Sequence, residues 1–536
     1  MQLTILLRDS RALATLAVPL ILTQLAQVAL TTTDTVMMGL LGTVDLAAGG
    51  LAIVIFNQLR TMGVGLVTSV GNQIAAASAR AEAAQGSGAP DAGGAERDGA
   101  DDPAESGGAG DPGESNGAGG PAESSGAGDP VGSGGAGGPV GSGGAGDPVG
   151  SGGAGGPAES SEEVRRIVRA SLAVATLAGV AGAVLMLLIG QALTPLGQEA
   201  DVVDRAQTML LALAPGLVPC LWFQAIRQFT VGMRRPQALL QITLASVAVN
   251  AAVNWALIHG TWGLPKVGLP GVGVATSLVY LLSFLALYAS AKRDEVLGPL
   301  LSLNIAAADR ATVRRLVKLG IPIAATYGSE AGFFSVTALM AGSFGSAALA
   351  AHTAVNQLVY IVFQVAVGLS HAASINVSRE LALGRTDTAL RIKNTALACA
   401  AAVMAVVAVL YITLPHLVLR PFFDTGGAKD AEAVAIATHL LLVIAVLQFF
   451  DCAQNIGVGL LRGLDDTKSG FRITLIGYWV VGLPTAWLLG YAAGLHTLGI
   501  WLGLLTGLAV TAALLLRRYG TSLRARGAGQ GVATAM

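Results

Sequence analysis

The sequence predicts an all-α polytopic membrane protein with twelve transmembrane helices in two pseudo-symmetric six-helix bundles. Three observations predict this fold class: the composition is too apolar for a soluble chain, long apolar runs recur along it, and the second half repeats the first. Of the 536 residues, 53% are hydrophobic and only 12% are charged, and the mean hydropathy is +0.63. A soluble protein of this size needs far more charge.

Twelve apolar runs, separated by charged or glycine- and proline-marked breaks, are long enough to cross a bilayer. The predicted spans are 12–39, 46–79, 164–190, 204–226, 237–259, 269–291, 313–341, 347–377, 390–415, 433–461, 472–494 and 497–516. Several exceed the roughly 20 residues that just cross a bilayer, so we expect tilted helices or ends that project into water. The first run is too long for a cleavable signal peptide, and we expect it to stay in the membrane.

An internal repeat divides the chain into two halves. Six residues recur 303 positions later: Pro19, Gly39, Gly42, Leu46, Ala47 and Ala48 return as Pro322, Gly342, Gly345, Leu349, Ala350 and Ala351. We predict six-helix bundles over 1–291 and 313–518, a cytoplasmic connector over 292–312 and a cytoplasmic tail over 519–536. Repeats of this kind place substrate and ion sites near the interface between the halves, and access alternates as the bundles rock.

Residues 86–160 interrupt the first bundle with a segment rich in Gly, Ser, Ala, Pro, Asp and Glu. The segment contains 12 acidic residues and one basic residue, Arg97, and its later part repeats a nonapeptide of the type VGSGGAGGP. So few of its residues can pack that we expect it to stay disordered. Because long insertions in exposed loops cost little, we predict a tolerated flexible insert, with shielding of the basic cytoplasmic loops as the alternative.

The basic residues predict the orientation, because cytoplasmic loops carry the excess of Lys and Arg. With a cytoplasmic amino terminus, most of the 32 Lys and Arg lie on the cytoplasmic side, and the loop exceptions are Arg205, Lys266, Arg420 and Lys429. An even number of spans then places both termini in the cytoplasm. We expect a multi-pass protein of the inner or plasma membrane.

Ionisable residues well inside the apolar spans are scarce, and besides histidine there are four: Asp34, Arg60, Glu330 and Asp451. A charge at the centre of a membrane helix costs roughly 2.5–3.5 kcal/mol on insertion scales, so such a residue usually faces a cavity and works there. In the repeat register Asp34 corresponds to Thr337, and Glu330 precedes Thr337 by about two helical turns. We therefore expect a carboxylate in the interior of each bundle.

The first bundle contains a set of polar residues that suits a coupling ion. Asn250 and Asn254 lie on one face of the fifth span, and Thr276 lies near the start of the sixth. With Asp34 they supply oxygens that hold Na⁺, or that change hydrogen bonding as the carboxyl gains and loses a proton. We predict Asp34 as a candidate Na⁺ ligand and Pro19 as the hinge of the first helix. The alternative is that the amides and the hydroxyl only join neighbouring helices.

The second bundle carries acids beside aromatic residues. Asp451 directly follows a glutamine and two phenylalanines, and aromatic and acidic groups around one cavity suit a flat organic cation. We predict Glu330, Asp451 and Arg60 as a substrate site or a second ion site. The alternative is a structural charge pair between Arg60 and one of these acids. Arg60 also has the options of pairing with Asp34 or of extending its side chain toward water.

Six segments of the chain resemble the multidrug and toxic compound extrusion family of secondary transporters. They are DTVMMGLLG at Asp34, NAAVNWALIHG at Asn250, GVGVATS around Thr276, GIPIAATYGSEAGFF at Gly320, GSAALAAHTAVNQL at Gly345 and LLRGLDDTKSG at Leu460. Their order and positions agree with the family, and together they extend over essentially the whole chain apart from the insert. Glu330 and Asp451 are similar to the second-bundle acids of the NorM-type branch, whereas Arg60, within LRTMGVGL, is more similar to the DinF-type branch.

The resemblance implies an antiporter that exports organic cations and other amphipathic drugs or toxic metabolites in exchange for inward Na⁺ or H⁺. It assigns the first-bundle cation site to Asp34, Asn250, Asn254 and Thr276. It implies no enzymatic activity and no cofactor besides the coupling ion. We expect small-molecule substrates and membrane lipid as partners, no nucleic acid, and a monomer; the choice between Na⁺ and H⁺ stays open.

Two other functions compete with this interpretation. A lipid-linked precursor flippase of a related fold needs a cationic cavity that receives pyrophosphate. An intramembrane aspartyl protease using Asp34 and Asp451 needs two carboxylates that share one proton. The sequence contains no phosphate-binding glycine loop in a segment expected to fold, no metal-ligand cluster and no nucleophile triad, so ATP-driven transport and hydrolysis are unsupported.

Overall fold

The computed structural model describes residues 2–87, 157–193, 200–261, 263, 265–423 and 430–534, which form helices and loops without a strand. In the first half, α1–α6 are Gln2–Gly39, Thr43–Ser87, Pro157–Ala192, Ala200–Gly232, Gln237–His259 and Leu269–Arg293. In the second half, α7–α14 are Arg310–Gly342, Ser346–Ala382, Thr386–Thr413, Pro415–Leu419, Ala431–Gly463, Thr467–Leu475, Leu483–Trp487 and His496–Thr534. The π-helical segments Ile476–Gly482 and Leu488–Ala492 make 467–492 one continuous helix, and two short 3-10 helices lie between the halves.

Twelve long helices correspond to the twelve predicted spans. Eleven of them, in the described part of the chain, are long and apolar enough to cross a membrane. The twelfth, α7, is 33 residues long and lies at the repeat position of α1, but its serines, threonines and Glu330 lower its hydropathy. The predicted fold class of an all-α membrane protein with two six-helix bundles is confirmed.

Several helices are longer than the predicted spans. Helix α1 begins at Gln2 instead of residue 12, α2 continues to Ser87, and α14 continues to Thr534. The first two and the last four residues of the 86–160 insert belong to α2 and α3. The remaining insert residues, on which the prediction of disorder depends, lie outside the described residues.

Packing within each half builds a separate apolar core. In the first half, α4 packs on α3 and α6, and α5 packs on α1 and α6; in the second, α11 packs on α8, α9 and α14. One buried cluster around Met209 belongs to the first half, and another around Phe333 and Trp501 belongs to the second. The largest cluster contains residues of both halves, such as Ile74 and Leu369, so apolar packing also joins the halves.

Two backbone contacts, which we call the glycine crossings, join the halves in a pattern that follows the repeat. A Cβ atom at Gly65 would lie 2.6 Å from the Cα of Ala324, and one at Gly368 would lie 2.9 Å from the Cα of Ile21. Gly65 and Gly368 are 303 positions apart, as are Ile21 and Ala324. Because neither crossing has room for a Cβ atom, glycine is what lets the two backbones approach so closely.

Polar contacts between the halves follow the glycine crossings along α2 and α8. The pairs are Asn72 with Ser374 at 2.8 Å, Gln73 with Asp465 at 2.7 Å, and the ion pair of Glu82 with Arg379. At the opposite end of α2, Asp45 pairs with Arg205 of its own half at 2.7 Å. These three pairs between the halves therefore lie toward the end of the molecule where α1 begins and α14 ends.

A capped amino terminus fixes where α7 begins. The carboxylate of Asp309 accepts hydrogen bonds from the Thr312 hydroxyl at 2.7 Å and from the N–H groups of Thr312 and Ala311 at 2.9 and 3.3 Å. These donors lower the pKa of Asp309. The Asp309 carboxylate thereby satisfies N–H groups that have no partner inside the helix, so α7, which carries Glu330, begins at a defined residue.

Candidate ion and substrate sites

In the first half, Asp34 lies inside the bundle with 3% of its surface exposed. Asn250 and Asn254 donate from Nδ2 to its Oδ1 at 2.6 and 2.8 Å, and the Thr276 hydroxyl donates to its Oδ2 at 3.0 Å. The two asparagines lie one turn apart on α5, so both amides reach the same oxygen, whereas Thr276 approaches from α6. The structure therefore brings together all four residues predicted for this site.

The amides of this site retain unused acceptor atoms. The Oδ1 atoms of Asn250 and Asn254 are buried and have no hydrogen-bond partner. Buried polar atoms without a partner are uncommon in folded proteins. Carboxylate, amide and hydroxyl oxygens are the ligands that hard cations prefer, so the donor set fits either Na⁺ or a proton on Asp34. The described residues hold no group of three or more His, Cys, Asp or Glu that suits a metal ion.

Helices α1 and α7, which carry Asp34 and Glu330, each contain a proline at the same repeat position. The hydroxyl of Thr23 donates to the carbonyl oxygen of Pro19 at 2.7 Å, and that of Thr326 donates to the carbonyl oxygen of Pro322 at 2.8 Å. A proline inside a helix removes one backbone hydrogen bond and favours a bend. Pro19 as the hinge of α1 stays a prediction, and Pro322 is its counterpart in α7.

In the second half, Glu330 and Asp451 are buried, with 9% and 4% of their surfaces exposed. The Tyr478 hydroxyl donates to Glu330 Oε1 at 3.3 Å, and Asn455 Nδ2 donates to Asp451 Oδ1 at 3.2 Å. The two carboxyl groups interact electrostatically with each other and with Tyr478. Because two nearby buried carboxylates repel each other, this pair favours binding of a proton or of a cation.

Tyr478 is a site residue that is not among those predicted from the sequence. Its ring stacks on Phe333 with centroids 4.9 Å apart and an interplanar angle of 7°. It belongs to the π-helical segment Ile476–Gly482, whose side chains depart from the 3.6-residue register. The direction of its side chain therefore cannot be read from hydrophobic periodicity. The available signal is the pair of glycines, Gly477 and Gly482, on either side of it.

Arg60 forms none of the ion pairs that the sequence allows. Its Nε donates to Asn57 Oδ1 at 3.2 Å, one turn earlier on α2. Its electrostatic neighbours include Tyr280 in the first half and Tyr360 in the second. Within the described residues it has no carboxylate partner, so the structure shows no charge pair between Arg60 and a buried acid. Its assignment to the substrate site stays a prediction.

The four ionisable residues expected well inside the apolar spans do not include two arginines that the structure buries. Arg227 in α4 and Arg462 in α11 have 2% and 3% of their surfaces exposed. Each lies one residue beyond the predicted end of its span, at 226 and 461, so hydropathy assigns both to cytoplasmic loops. In the structure the two helices continue to Gly232 and Gly463, and both arginines are buried inside the protein.

The sequence matches one protein family over more than half of its length. The family model described as MatE matches residues 144–256 and 322–488. A probable multidrug resistance protein NorM of Pseudomonas aeruginosa is 31% identical over 506 residues, which cover 94% of this chain and 88% of the relative. The NorM protein of Bradyrhizobium diazoefficiens is 32% identical over 507 residues, which cover 94% and 91%.

Solved structures share the fold. The eukaryotic MATE transporter AtDTX14 has a TM-score of 0.71 and 18% identity, covering 97% of this chain and 99% of that chain. A multidrug resistance MATE family transporter of the MOP superfamily, in an outward-facing conformation, has a TM-score of 0.74 and 14% identity, covering 97% and 96%. At these identities the likeness concerns the fold alone.

Proposed function

The chain belongs to the MatE family, and from this we propose that it exports organic cations and other amphipathic compounds in exchange for inward Na⁺ or H⁺. It is a multidrug efflux transporter and not an enzyme. The flippase alternative is not favoured, because the curated relatives that cover most of the chain are multidrug resistance proteins. Proteins of this family work without a cofactor, and the identity of the coupling ion is part of the proposal.

The observation that carries the proposal is the set of three hydrogen bonds that the buried carboxylate of Asp34 accepts. Binding of Na⁺ or H⁺ to this carboxylate changes its charge, so the amides of Asn250 and Asn254 must reorient their donors and acceptors. Helix α1 carries Asp34 and also Ile21, which forms a glycine crossing with Gly368. A rearrangement of α1 about Pro19 therefore links ion binding to the contact between the halves.

In this proposal Glu330 and Asp451 supply negative charge for a cationic substrate or a second ion. The stacked rings of Phe333 and Tyr478 beside them suit a flat organic cation. The ion and the substrate then favour different conformations of the two halves, so that binding of one weakens binding of the other. By linkage, a substrate that weakens ion binding is itself bound more weakly, by the same factor, when the ion is present.

The proposal places the protein in the inner or plasma membrane as a monomer with both termini in the cytoplasm. The end that carries the polar contacts between the halves is then the cytoplasmic end. Arg314, Arg315 and Arg379 lie near this end, in agreement with the excess of basic residues expected in the cytoplasm. With the halves joined there, the substrate path is closed toward the cytoplasm, which supports an outward-facing state.

The decisive experiment is the efflux of a fluorescent organic cation from proteoliposomes under imposed gradients. A Na⁺ gradient and a pH gradient are applied separately, with the other ion equal on both sides. We expect one of them to drive efflux in vesicles with the protein and not in protein-free vesicles. Efflux that responds to neither gradient would reject secondary active transport by this chain.

A further inference from the structure

Four buried nitrogen atoms without a hydrogen-bond partner belong to three basic side chains. They are Nε of Arg227, Nε and Nη1 of Arg462, and Nε2 of His371. All three side chains are buried, and His371 interacts electrostatically with both arginines. We call these three residues the basic cluster.

The other hydrogen bonds of the two arginines go to neutral groups. Arg227 donates from Nη1 to Gln224 Oε1 at 3.0 Å and from Nη2 to Gln24 Oε1 at 3.2 Å. Arg462 donates from Nη2 to Ser370 Oγ at 3.3 Å. A guanidinium keeps its charge even when buried, and an uncompensated buried charge is strongly unfavourable. Within the described residues, no carboxylate forms an ion pair with either arginine.

The basic cluster spans the contact between the halves. Gln24, which binds Arg227, lies one turn after Ile21 on α1, and Ile21 meets Gly368 at a glycine crossing. Ser370 and His371 lie two and three residues after Gly368 on α8. The cluster therefore combines Arg227 of the first half with two basic residues of the second.

The buried acids are engaged elsewhere. Asp34 accepts hydrogen bonds from residues of its own half, and Glu330 and Asp451 lie together in the second. The other ionisable groups that interact electrostatically with Arg227 are Tyr327 and Arg60, and neither is a carboxylate. The positive charge of the cluster is therefore compensated by no side chain in the described part of the protein.

We propose that the basic cluster binds one small monovalent inorganic anion, of the size of chloride, between the two halves. An anion accepts hydrogen bonds from the free N–H groups of both arginines and compensates part of their charge. Because every side chain of the cluster is buried, the site excludes large organic anions. The anion contacts residues of both halves and so stabilises the state in which they are joined. This proposal is independent of the coupling ion and of the transported compound.

Thermal unfolding of the purified protein tests the proposal. Sodium gluconate is replaced stepwise by sodium chloride or sodium bromide at constant ionic strength and constant Na⁺ concentration. We expect the unfolding midpoint to rise by a few degrees and to depend on the logarithm of the halide concentration above the dissociation constant. The variant Arg462→Gln should lose this dependence. The variant Arg235→Gln should keep it, because Arg235 is exposed and pairs with Asp294 at 2.9 Å.

Diffraction locates the anion without a variant, which matters if Arg462→Gln does not fold. In crystals grown in bromide, an anomalous peak beside Arg462 and Arg227 supports the proposal. Equal unfolding midpoints in chloride and gluconate would overturn it, since water would then satisfy the nitrogen atoms. A halide dependence that persists in folded Arg462→Gln, or a bromide peak only elsewhere, would also overturn it.

Discussion

The two halves of the molecule share one helical frame but contain different acid sites. In the first half a single carboxylate, Asp34, accepts three hydrogen bonds from neutral side chains of α5 and α6. In the second half two carboxyl groups, Glu330 and Asp451, lie together, and Tyr478 donates to Glu330. The repeat counterpart of Asp34 is Thr337, whose hydroxyl only donates to the backbone of its own helix.

This difference separates the residues of the repeat that maintain the helical arrangement from those that bind ions or substrate. Pro19 and Pro322, and the glycines of the two crossings, keep their places in both halves. The acids do not. One carboxylate with three fixed donors defines a site for one small ion, whereas two acids beside stacked aromatic rings supply charge with fewer geometric demands. We therefore expect the first half to act in coupling and the second half to act in substrate recognition.

The largest effect is expected from Asp34→Asn, which removes the only charge of the first site. The amide has nearly the same shape, so the protein should fold, but gradient-driven efflux of a fluorescent cation should be abolished. The matched control is Asp45→Asn near the start of α2, because Asp45 binds Arg205 and not the site. Efflux by Asp34→Asn at the wild-type rate would remove Asp34 from the mechanism.

The next largest effect is expected from Gly65→Ala and Gly368→Ala, which test the symmetry of the frame. Each methyl group meets backbone atoms of the other half, and overpacking of this kind costs about 1–3 kcal/mol. Both variants should lower the unfolding midpoint and slow efflux to a similar degree. Gly50→Ala is the control, because a Cβ atom at Gly50 on α2 has no neighbour within 4 Å. If only one of the two variants kept the wild-type unfolding midpoint and efflux rate, the two crossings would not be equivalent.

A smaller and selective effect is expected from Glu330→Gln and Asp451→Asn. Either change removes one of the paired acids, so the apparent affinity for a cationic substrate should fall several-fold more than that for a neutral substrate of similar size. Efflux of both substrates is measured in the same vesicles, and the neutral substrate is the internal control. Equal losses for the two substrates would assign these acids to coupling, and the division between the halves would then be wrong.

The smallest effect is expected from Tyr478→Phe, which keeps the stack on Phe333 and removes the hydrogen bond to Glu330. A hydrogen bond contributes about 0.5–1.5 kcal/mol, and this one, at 3.3 Å, belongs at the weak end, so the affinity for a cationic substrate should change by about twofold. Tyr519→Phe is the control, because the Tyr519 hydroxyl donates to the carbonyl oxygen of Ala389 at 2.8 Å. A similar change in both variants would mean that the effect on substrate is not specific to Glu330.

The polar set around Asp34 could be predicted from the sequence, because polar residues inside apolar spans are rare and each one needs a partner. Asn250 and Asn254 are four residues apart, so they share a helix face and reach one carboxylate oxygen. The same reasoning found Glu330 and Asp451. It could not show that they interact, since their helices are joined only by tertiary packing.

Other site residues could not be predicted for physical reasons. Arg227 and Arg462 lie where apolar runs end, so hydropathy assigns them to water although their helices continue inside the protein. The orientation of Tyr478 depends on a π-helical segment, which changes the register in a way that hydrophobic periodicity does not show. Gly65 and Gly368 share the repeat spacing, but only the three-dimensional structure shows that each meets the backbone of the opposite half.

The two glycine crossings have the form of an isologous interface, in which a first position of one unit meets a second position of the other, and the second position of the one meets the first of the other. A six-helix chain with glycine and its contact residue at these places would therefore complete both crossings with a second copy of itself. The surface that now joins two halves of one polypeptide is complementary to its own duplicate. Within one polypeptide, each half can carry different acids, whereas the surface that joins the halves must stay the same in both.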